Sequence, residues 1–296
     1  MSPRCSVPFE IWSGAGNDFV LLESRALPPH TRRGPLARHI CAGVCGRRVD
    51  GLILTAGRWA ELWNRDGSHP AFCGNGARCV AARMMAAGGV PRVALRFGRL
   101  SLVAWREGRT IAIRVPAPRL LRRRPDGALL AAALGGASTQ LRDAAWIEAG
   151  VPHLCLRLAS RRARGALAAS DHAALRVMGA RLRLAGAFSA AGTNVTFVWE
   201  PRVRGAACET RTYERGVENV TRACGSGALA AGRMLIGGGP RRTVTLRVAA
   251  GARLIVERTG TGWVLRGPAR RIKRGRLVLP APGALRRAKR APGPDG

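Results

Sequence analysis

Apolar residues alternate with small or polar ones at several places along the chain. Ile111, Ile113 and Val115 do so, then Leu154, Leu156 and Leu158, then Val195, Phe197 and Trp199, then Val244, Leu246 and Val248. A period of two marks a strand with one buried face, so these segments predict half-buried antiparallel strands. Helical periodicity is rarer. It predicts helices near 34–42, 75–87, 171–184 and 226–237, with Ser170-Asp171 as the cap of the third. Many strands with few helices indicate an α+β fold. The Pro- and Arg-rich stretch 116–126 reads as a crossing between two parts, and 282–296 as a frayed basic tail.

The chain also resembles itself. At the offset that separates Cys73 from Cys224, Gly74 matches Gly225, Gly76 matches Gly227, Met84 matches Leu235 and Met85 matches Ile236. A polar or acidic strand end precedes each cysteine, WNRDG at 63–67 and YERG at 213–216. An Asn before an apolar strand recurs as well, in GNDFV at 16–20 and TNVTFV at 193–198. Two similar halves that face each other are expected.

Composition bounds this picture. The 296 residues are 47% hydrophobic, enough for one large or two modest cored domains. No apolar run approaches the roughly 18 residues of a membrane span. The start, MSPRCSVPFEIW, lacks the apolar core of a secretion signal. The expectation is a cytoplasmic protein, away from membranes, whose eight cysteines are mostly reduced. The formal charge of +33 is almost all arginine; the lysines are Lys273 and Lys289. Arginine is spread along the chain, with short runs at 122–124 and 161–162, and one tyrosine and six phenylalanines leave few aromatic rings for bases to stack on. This reads as a solvated basic surface that attracts polyanions non-specifically and favours anionic substrates.

The candidate chemistry lies in AFCGNGARC at 71–79 and ACGSGALAAGRMLI at 223–236. Each places a cysteine on a glycine turn at the mouth of a helix. The first N–H groups of a helix lack partners within it and attract anions. Glycine admits a ligand to the backbone. A cysteine there is expected to have a lowered pKa. Two such mouths supply two thiols around one carboxylate, which suits inversion at an α-carbon: a thiolate removes the proton and a thiol opposite returns one. A single Cys-Gly-x-Gly is equally the mark of a packed cysteine; the matched pair is what points to catalysis. A pyridoxal enzyme would need a Schiff-base lysine, and both lysines sit in basic C-terminal sequence, so no cofactor is expected. Cys41 and Cys45 near His39 lack the four spaced ligands of a zinc site, which Cys5 and Cys79 could complete only by chance, so no metal is expected. Cys79, Cys155 and Cys208 read as packing residues.

These residues resemble the diaminopimelate epimerase family. The matching segments are GAGNDFVLLE (14–23), VDGLIL (49–54), WNRDGS (63–68), CGNGARC (73–79), VPH (151–153), TNVTFV (193–198), YERGVENVTRACGSGA (213–228) and GPA (267–269). They run in the family's order over almost the whole chain. The resemblance implies two pseudo-symmetric domains, each a curved antiparallel or mixed sheet around a central helix, with the site in the cleft. The N-terminal half is then 1–119 plus 270–281, since the family's last strand returns to the first domain. The C-terminal half is 120–269. The resemblance makes Cys73 and Cys224 the two catalytic bases. It assigns Gly74, Asn75, Gly225 and Ser226 to the reacting carboxylate, and Asn17, Asn64, Asn194, Glu214 and Arg215 to the rest of the substrate. For Asn64 and Asn194 a capping or turn role is the competing reading. His153 matches a family histidine beside the site, in a role assisting one thiol. Arg78 follows the motif and is expected to pair with an acidic neighbour.

The chain departs from the family at Val151, where an Asn that contacts substrate is common, and at Gly51, His69 and Val220. The implied activity interconverts LL- and meso-2,6-diaminopimelate in lysine and peptidoglycan precursor synthesis. The small-molecule partner is an amino acid, and a homodimer is left open. Two alternatives stand beside it: a racemase of another amino acid, such as histidine, and a basic nucleic-acid-binding protein without catalysis.

Overall fold

The structure, a computed structural model, describes residues 6–44, 46–70, 72–159, 167–185, 191–201, 203 and 205–279. The expected tail at 282–296, Cys5, Cys45 and the arginines at 161–162 lie outside these residues. The chain divides into two compact units, 1–101 with 269–296, and 102–268. The first boundary was expected near 119/120. It falls earlier because β6 (Leu100–Glu107) pairs with β7 (Thr110–Val115), and β7 with 263–268 of the second unit. The Pro- and Arg-rich stretch is no crossing. It carries β8 (Arg119–Arg123), which pairs inside the second unit, and leads to a helix that lacked a periodic signal, α3 (Gly127–Leu134). Asp126 caps α3 through the backbone N–H groups of Ala128 and Leu129.

In the first unit, β1 (Ser6–Gly14), β2 (Asn17–Glu23), β3 (Gly51–Ala56), β4 (Trp59–Asn64) and β5 (Arg92–Phe97) form a mixed sheet. β1 pairs antiparallel with β2, β2 parallel with β3, β3 antiparallel with β4, and β4 parallel with β5. The last strand, β16 (Gly262–Val278), pairs antiparallel with β1 from Ala269 onward. Helix α1 (Arg33–Ala42) covers one face, where Leu36 and Ile40 pack with Val20, Leu22, Leu52 and Leu54. Helix α2 (Gly74–Gly88) packs on β1, β2 and β5. A parallel strand such as β3, covered on both faces, reads as a continuous apolar run, and LILT is buried throughout.

In the second unit the neighbours run β8, β9 (Leu141–Glu148), β10 (Pro152–Leu158), β11 (Asn194–Trp199), β12 (Cys208–Glu214), β14 (Thr243–Arg247), β15 (Arg253–Thr259), then the first part of β16 and β7. The short β13 (Asn219–Val220) lies beside β12. β10 and β11 run parallel, as do β12 and β14. The expectation of half-buried antiparallel strands therefore fails for 195–199, where every residue is buried. Helix α4 (His172–Arg183), capped by Asp171 as expected, covers Val195, Phe197 and Trp199 with Leu175 and Leu182. Helix α5 (Gly225–Ile236) lies on the opposite face, and strands β9 to β12, β14 and β15 all pack on it. Burial on both faces comes from two helices, a tertiary effect that alternation cannot reveal. No helix among the described residues is long and apolar enough to cross a membrane.

Candidate active site

Each unit presents a cysteine at the start of its sheet-covered helix. Cys73 caps α2 with an extended backbone (φ −141°, ψ 104°), and its Sγ accepts the Gly76 N–H at 3.4 Å. Cys224 caps α5 in the same way (φ −127°, ψ 115°), and its Sγ accepts the Gly227 N–H at 3.3 Å. The cysteine carbonyl takes the next helical bond in both cases, from Ala77 at 2.9 Å and Ala228 at 3.0 Å. Sulfur thus stands in for the oxygen of a usual N-cap. The glycine at the third helical position lets the helix sit hard on its sheet. A Cβ on Gly227 would lie 2.4 Å from Thr212 Oγ1, and one on Gly76 would lie 3.1 Å from Ile53. The other N–H groups of a helix's first turn have no partner within the helix and favour an anion.

Around Cys73, the β1–β2 turn places Asn17 against the helix. Ala15 and Gly16 carry positive φ (56° and 101°), and a Cβ on Gly14 would lie 2.5 Å from the Asn75 carbonyl. Asn75 Nδ2 donates to Asn17 Oδ1 at 2.8 Å, and Asn75 Oδ1 accepts from Arg78 Nη2 at 2.6 Å. Arg78 was expected to pair with an acid. It is instead fully buried, its Nε and Nη1 have no partner among the described residues, and burial lowers its pKa only to about 10, so it stays a cation. Its charge is favoured by the nearby Cys73 and Cys79 sulfurs. Asn64 takes the turn role: its backbone N–H and Nδ2 hold the Ser68 carbonyl and hydroxyl at 2.8 and 3.0 Å.

Around Cys224 the network is denser. Its Sγ lies 3.3 Å from Ser226 Oγ, and Ser226 Oγ lies 3.0 Å from His153 Nε2. His153, fully buried on β10, reaches Thr196 Oγ1 at 3.0 Å through Nδ1, and Thr196 reaches Thr212 Oγ1 at 3.2 Å. Asn194 Nδ2 lies 3.3 Å from His153 Nε2, while its Oδ1 accepts the Arg215 N–H at 2.7 Å. Glu214 Oε1 accepts from Thr221 Oγ1 at 2.5 Å. The Arg215 side chain is exposed. The two threonines were absent from the sequence-based site. Their signal was only that Thr196 shares a strand face with Asn194, and Thr212 with Glu214, by period two.

The electrostatics correct one expectation. The helix mouth was expected to lower the pKa of each cysteine. For Cys224 burial raises it well above the ordinary value, the Glu214 carboxylate adds to the rise, and the Ser226 and Gly227 hydrogen bonds only partly oppose it. Cys224 therefore rests as a thiol. His153 is pushed down to about 3 by burial and then by the Arg215 charge, so it is neutral.

No protein-family model matches the chain. Curated relatives do. Diaminopimelate epimerase of Desulforudis audaxviator is 32% identical over 285 residues, 90% of this chain and 97% of the relative. That of Aquifex aeolicus is 31% identical over 242 residues, 75% of this chain and 79% of the relative. Among solved structures, the Bacillus anthracis PhzF-family phenazine biosynthesis protein aligns at a TM-score of 0.66 and 10% identity, over 93% of this chain and 99% of its own. A hydroxyproline epimerase from Agrobacterium vitis aligns at 0.64 and 14%, over 96% of each chain. At such identities the structural likeness is one of fold, of the PhzF and proline racemase type. The sequence relatives make the chain an epimerase, hence an isomerase, and set aside a nucleic-acid-binding protein without catalysis.

Proposed function

The chain belongs to the diaminopimelate epimerase family, and from that premise we propose that it interconverts LL- and meso-2,6-diaminopimelate with Cys73 and Cys224 acting on opposite faces of one α-carbon. The observation that carries this reading is the pair of sulfur-capped helices, alike down to the N–H that each thiol accepts. Cys224, a thiol at rest, is the proton donor of the resting enzyme, which leaves the part of thiolate base to Cys73 in that direction. The thiolate takes the α-proton and becomes a thiol; the C–H electron pair moves onto the substrate carboxylate as an enediolate. The Cys224 thiol then delivers its proton to the other face and becomes the thiolate. The protonation of the pair is exchanged, and the reverse reaction starts from that state. Both proton transfers are carried by sulfur alone.

The N–H groups at Gly74, Asn75, Gly225 and Ser226 would stabilise the enediolate, where charge develops. Arg215 would grip the distal carboxylate and Glu214 the ammonium. Asn17, Asn64 and Asn194 complete the proposed site, acting more through the turns and networks they hold than by direct contact. The arginine-rich surface would draw in a dianionic substrate, and any polyanion binding would weaken with salt. Racemisation of another amino acid is the second reading, and Val151, in place of a polar family residue, is what favours it.

The test is NMR in D₂O under reducing conditions with LL-diaminopimelate, histidine, glutamate and lysine offered in turn. Deuterium entering at the α-carbon with inversion of diaminopimelate alone is the expected result. Inversion of another amino acid alone would replace the substrate, and no exchange on any would sink the two-thiol reading.

A further inference from the structure

The hydroxyls and amides around Cys224 can be assigned donor by donor. Asn194 Oδ1 takes a backbone N–H, so its Nδ2 must be the atom that faces His153. An amide nitrogen only donates, so His153 Nε2 is an acceptor. A neutral imidazole then carries its proton on Nδ1, where Thr196 Oγ1 stands at 3.0 Å to receive it. Thr196 in turn donates to Thr212. Ser226 Oγ, at 3.0 Å from Nε2, is the closer donor to that lone pair. The same oxygen lies 3.3 Å from Cys224 Sγ.

From this geometry we infer that Asn194 and Thr196 are positioning residues that hold His153 as the neutral Nδ1–H tautomer, and that this makes the Ser226 hydroxyl a two-position switch serving both protonation states of Cys224. While Cys224 is a thiol, its S–H donates to Ser226 Oγ and the Ser226 hydroxyl donates to His153. When Cys224 has given its proton away, the hydroxyl turns to Sγ and joins the Gly227 N–H as a second donor to the thiolate. His153 Nε2 meanwhile keeps the Asn194 amide. No proton enters or leaves the network; one O–H bond rotates. With the opposite tautomer, Nε2–H would donate to Ser226 and leave its hydroxyl no acceptor but sulfur, removing the choice. The inference rests on the two-thiol reading, since only a sulfur that alternates between thiol and thiolate needs such a partner.

The test uses full-length protein labelled with ¹⁵N-histidine. The chain has five histidines, and His153→Gln identifies the signal of interest. The wild type should show His153 neutral and protonated on Nδ1 near neutral pH. Thr196→Val, which keeps the shape and removes the acceptor, should shift the tautomer population and lower kcat about tenfold with KM little changed. Thr196→Ser should restore both. Thr210→Val, on the next strand, is the control: its hydroxyl bonds the Phe197 carbonyl at 3.1 Å, and kcat should be unchanged. A wild-type signal from Nε2–H or imidazolium would overturn the inference, even if Thr196→Val did not fold. So would a folded Thr196→Val with wild-type kcat. Cys224→Ala separates the two levels: full inversion there defeats the two-thiol reading, whereas its loss beside an unaffected Thr196→Val defeats only the switch.

Discussion

Arg78 donates to Asn75 from a position with no exposed surface, in the same helix that Cys73 caps. A buried guanidinium without a carboxylate partner is costly, by several kcal/mol in general. Here it meets an amide oxygen, and its charge is favoured by Cys79 first and Cys73 second. The Arg78 cation attracts negative charge on the Cys79 and Cys73 sulfurs, while Glu214 favours Cys224 as thiol, so two otherwise matched caps lie in different fields.

Arg78→Met is accordingly expected to keep the fold and lose reactivity. Iodoacetamide should alkylate Cys73 about tenfold more slowly near pH 7, from loss of one partly buried charge interaction. Peptide mass spectrometry after timed quenching reads this directly. An unchanged alkylation rate would remove Arg78 from the account of Cys73. In the wild type the same experiment should label Cys73 ahead of Cys224, which is 8% exposed and protonated.

Cys73→Ala and Cys224→Ala should each reduce inversion by roughly 10²–10⁴-fold, the range for a positioned general acid or base. Either variant can still exchange a proton on the face that keeps its thiol. Deuterium incorporation without inversion, followed by NMR, would reveal that half-reaction. Oxidants that consume either thiol should inactivate, and a thiol reductant should recover the activity.

The cysteine pair and the helices it caps were legible because a glycine turn before an apolar helix leaves a local mark, and the mark occurs twice. The partners were not. Arg78 lies within CGNGARC, yet its burial is a tertiary effect, set by how the helix packs on β1, β2 and β5. The lowered pKa expected of Cys224 failed for a similar reason: local sequence reveals the helix mouth, while burial and Glu214 arrive from β12 and the surrounding sheet. Helix α3 went unseen because GALLAAAL has no polar stripe, although Asp126 marks its start. The boundary near 119 was misplaced because proline and arginine mark a change of direction equally well inside a domain.

His153 should leave an acid signature. Its folded pKa of about 3 lies below the ordinary histidine value of 6.5, so the unfolded chain takes up the proton first as pH falls. The stability that neutral His153 contributes is complete above about pH 6.5 and drains away between there and about pH 3. One proton corresponds to a slope of at most ~1.4 kcal/mol per pH unit. Urea unfolding across this range should show that slope in the wild type and a shallower one in His153→Gln. Equal slopes would mean that His153 titrates alike in both states.

Two glycines separate packing from chemistry. A Cβ on Gly179 of α4 would lie 2.5 Å from Tyr213 Cγ, and a Cβ on Gly227 of α5 would lie 2.4 Å from Thr212 Oγ1. Either alanine overpacks a buried contact, at a cost of about 1–3 kcal/mol. Gly179 faces the apolar cluster of Leu175 and Leu182, whereas Gly227 donates its N–H to Cys224 and rests on Thr212 and on Thr196, which meets His153. Gly179→Ala should lower the unfolding midpoint and leave kcat of the folded fraction near wild type. Gly227→Ala should lower the midpoint by a similar amount and kcat by at least tenfold as well, because the shift that relieves the clash moves the first turn of the helix against Ser226 and Cys224. Equal kcat in the two variants would mean that the first turn tolerates displacement, and that the close seating of α5 on its threonines serves packing alone.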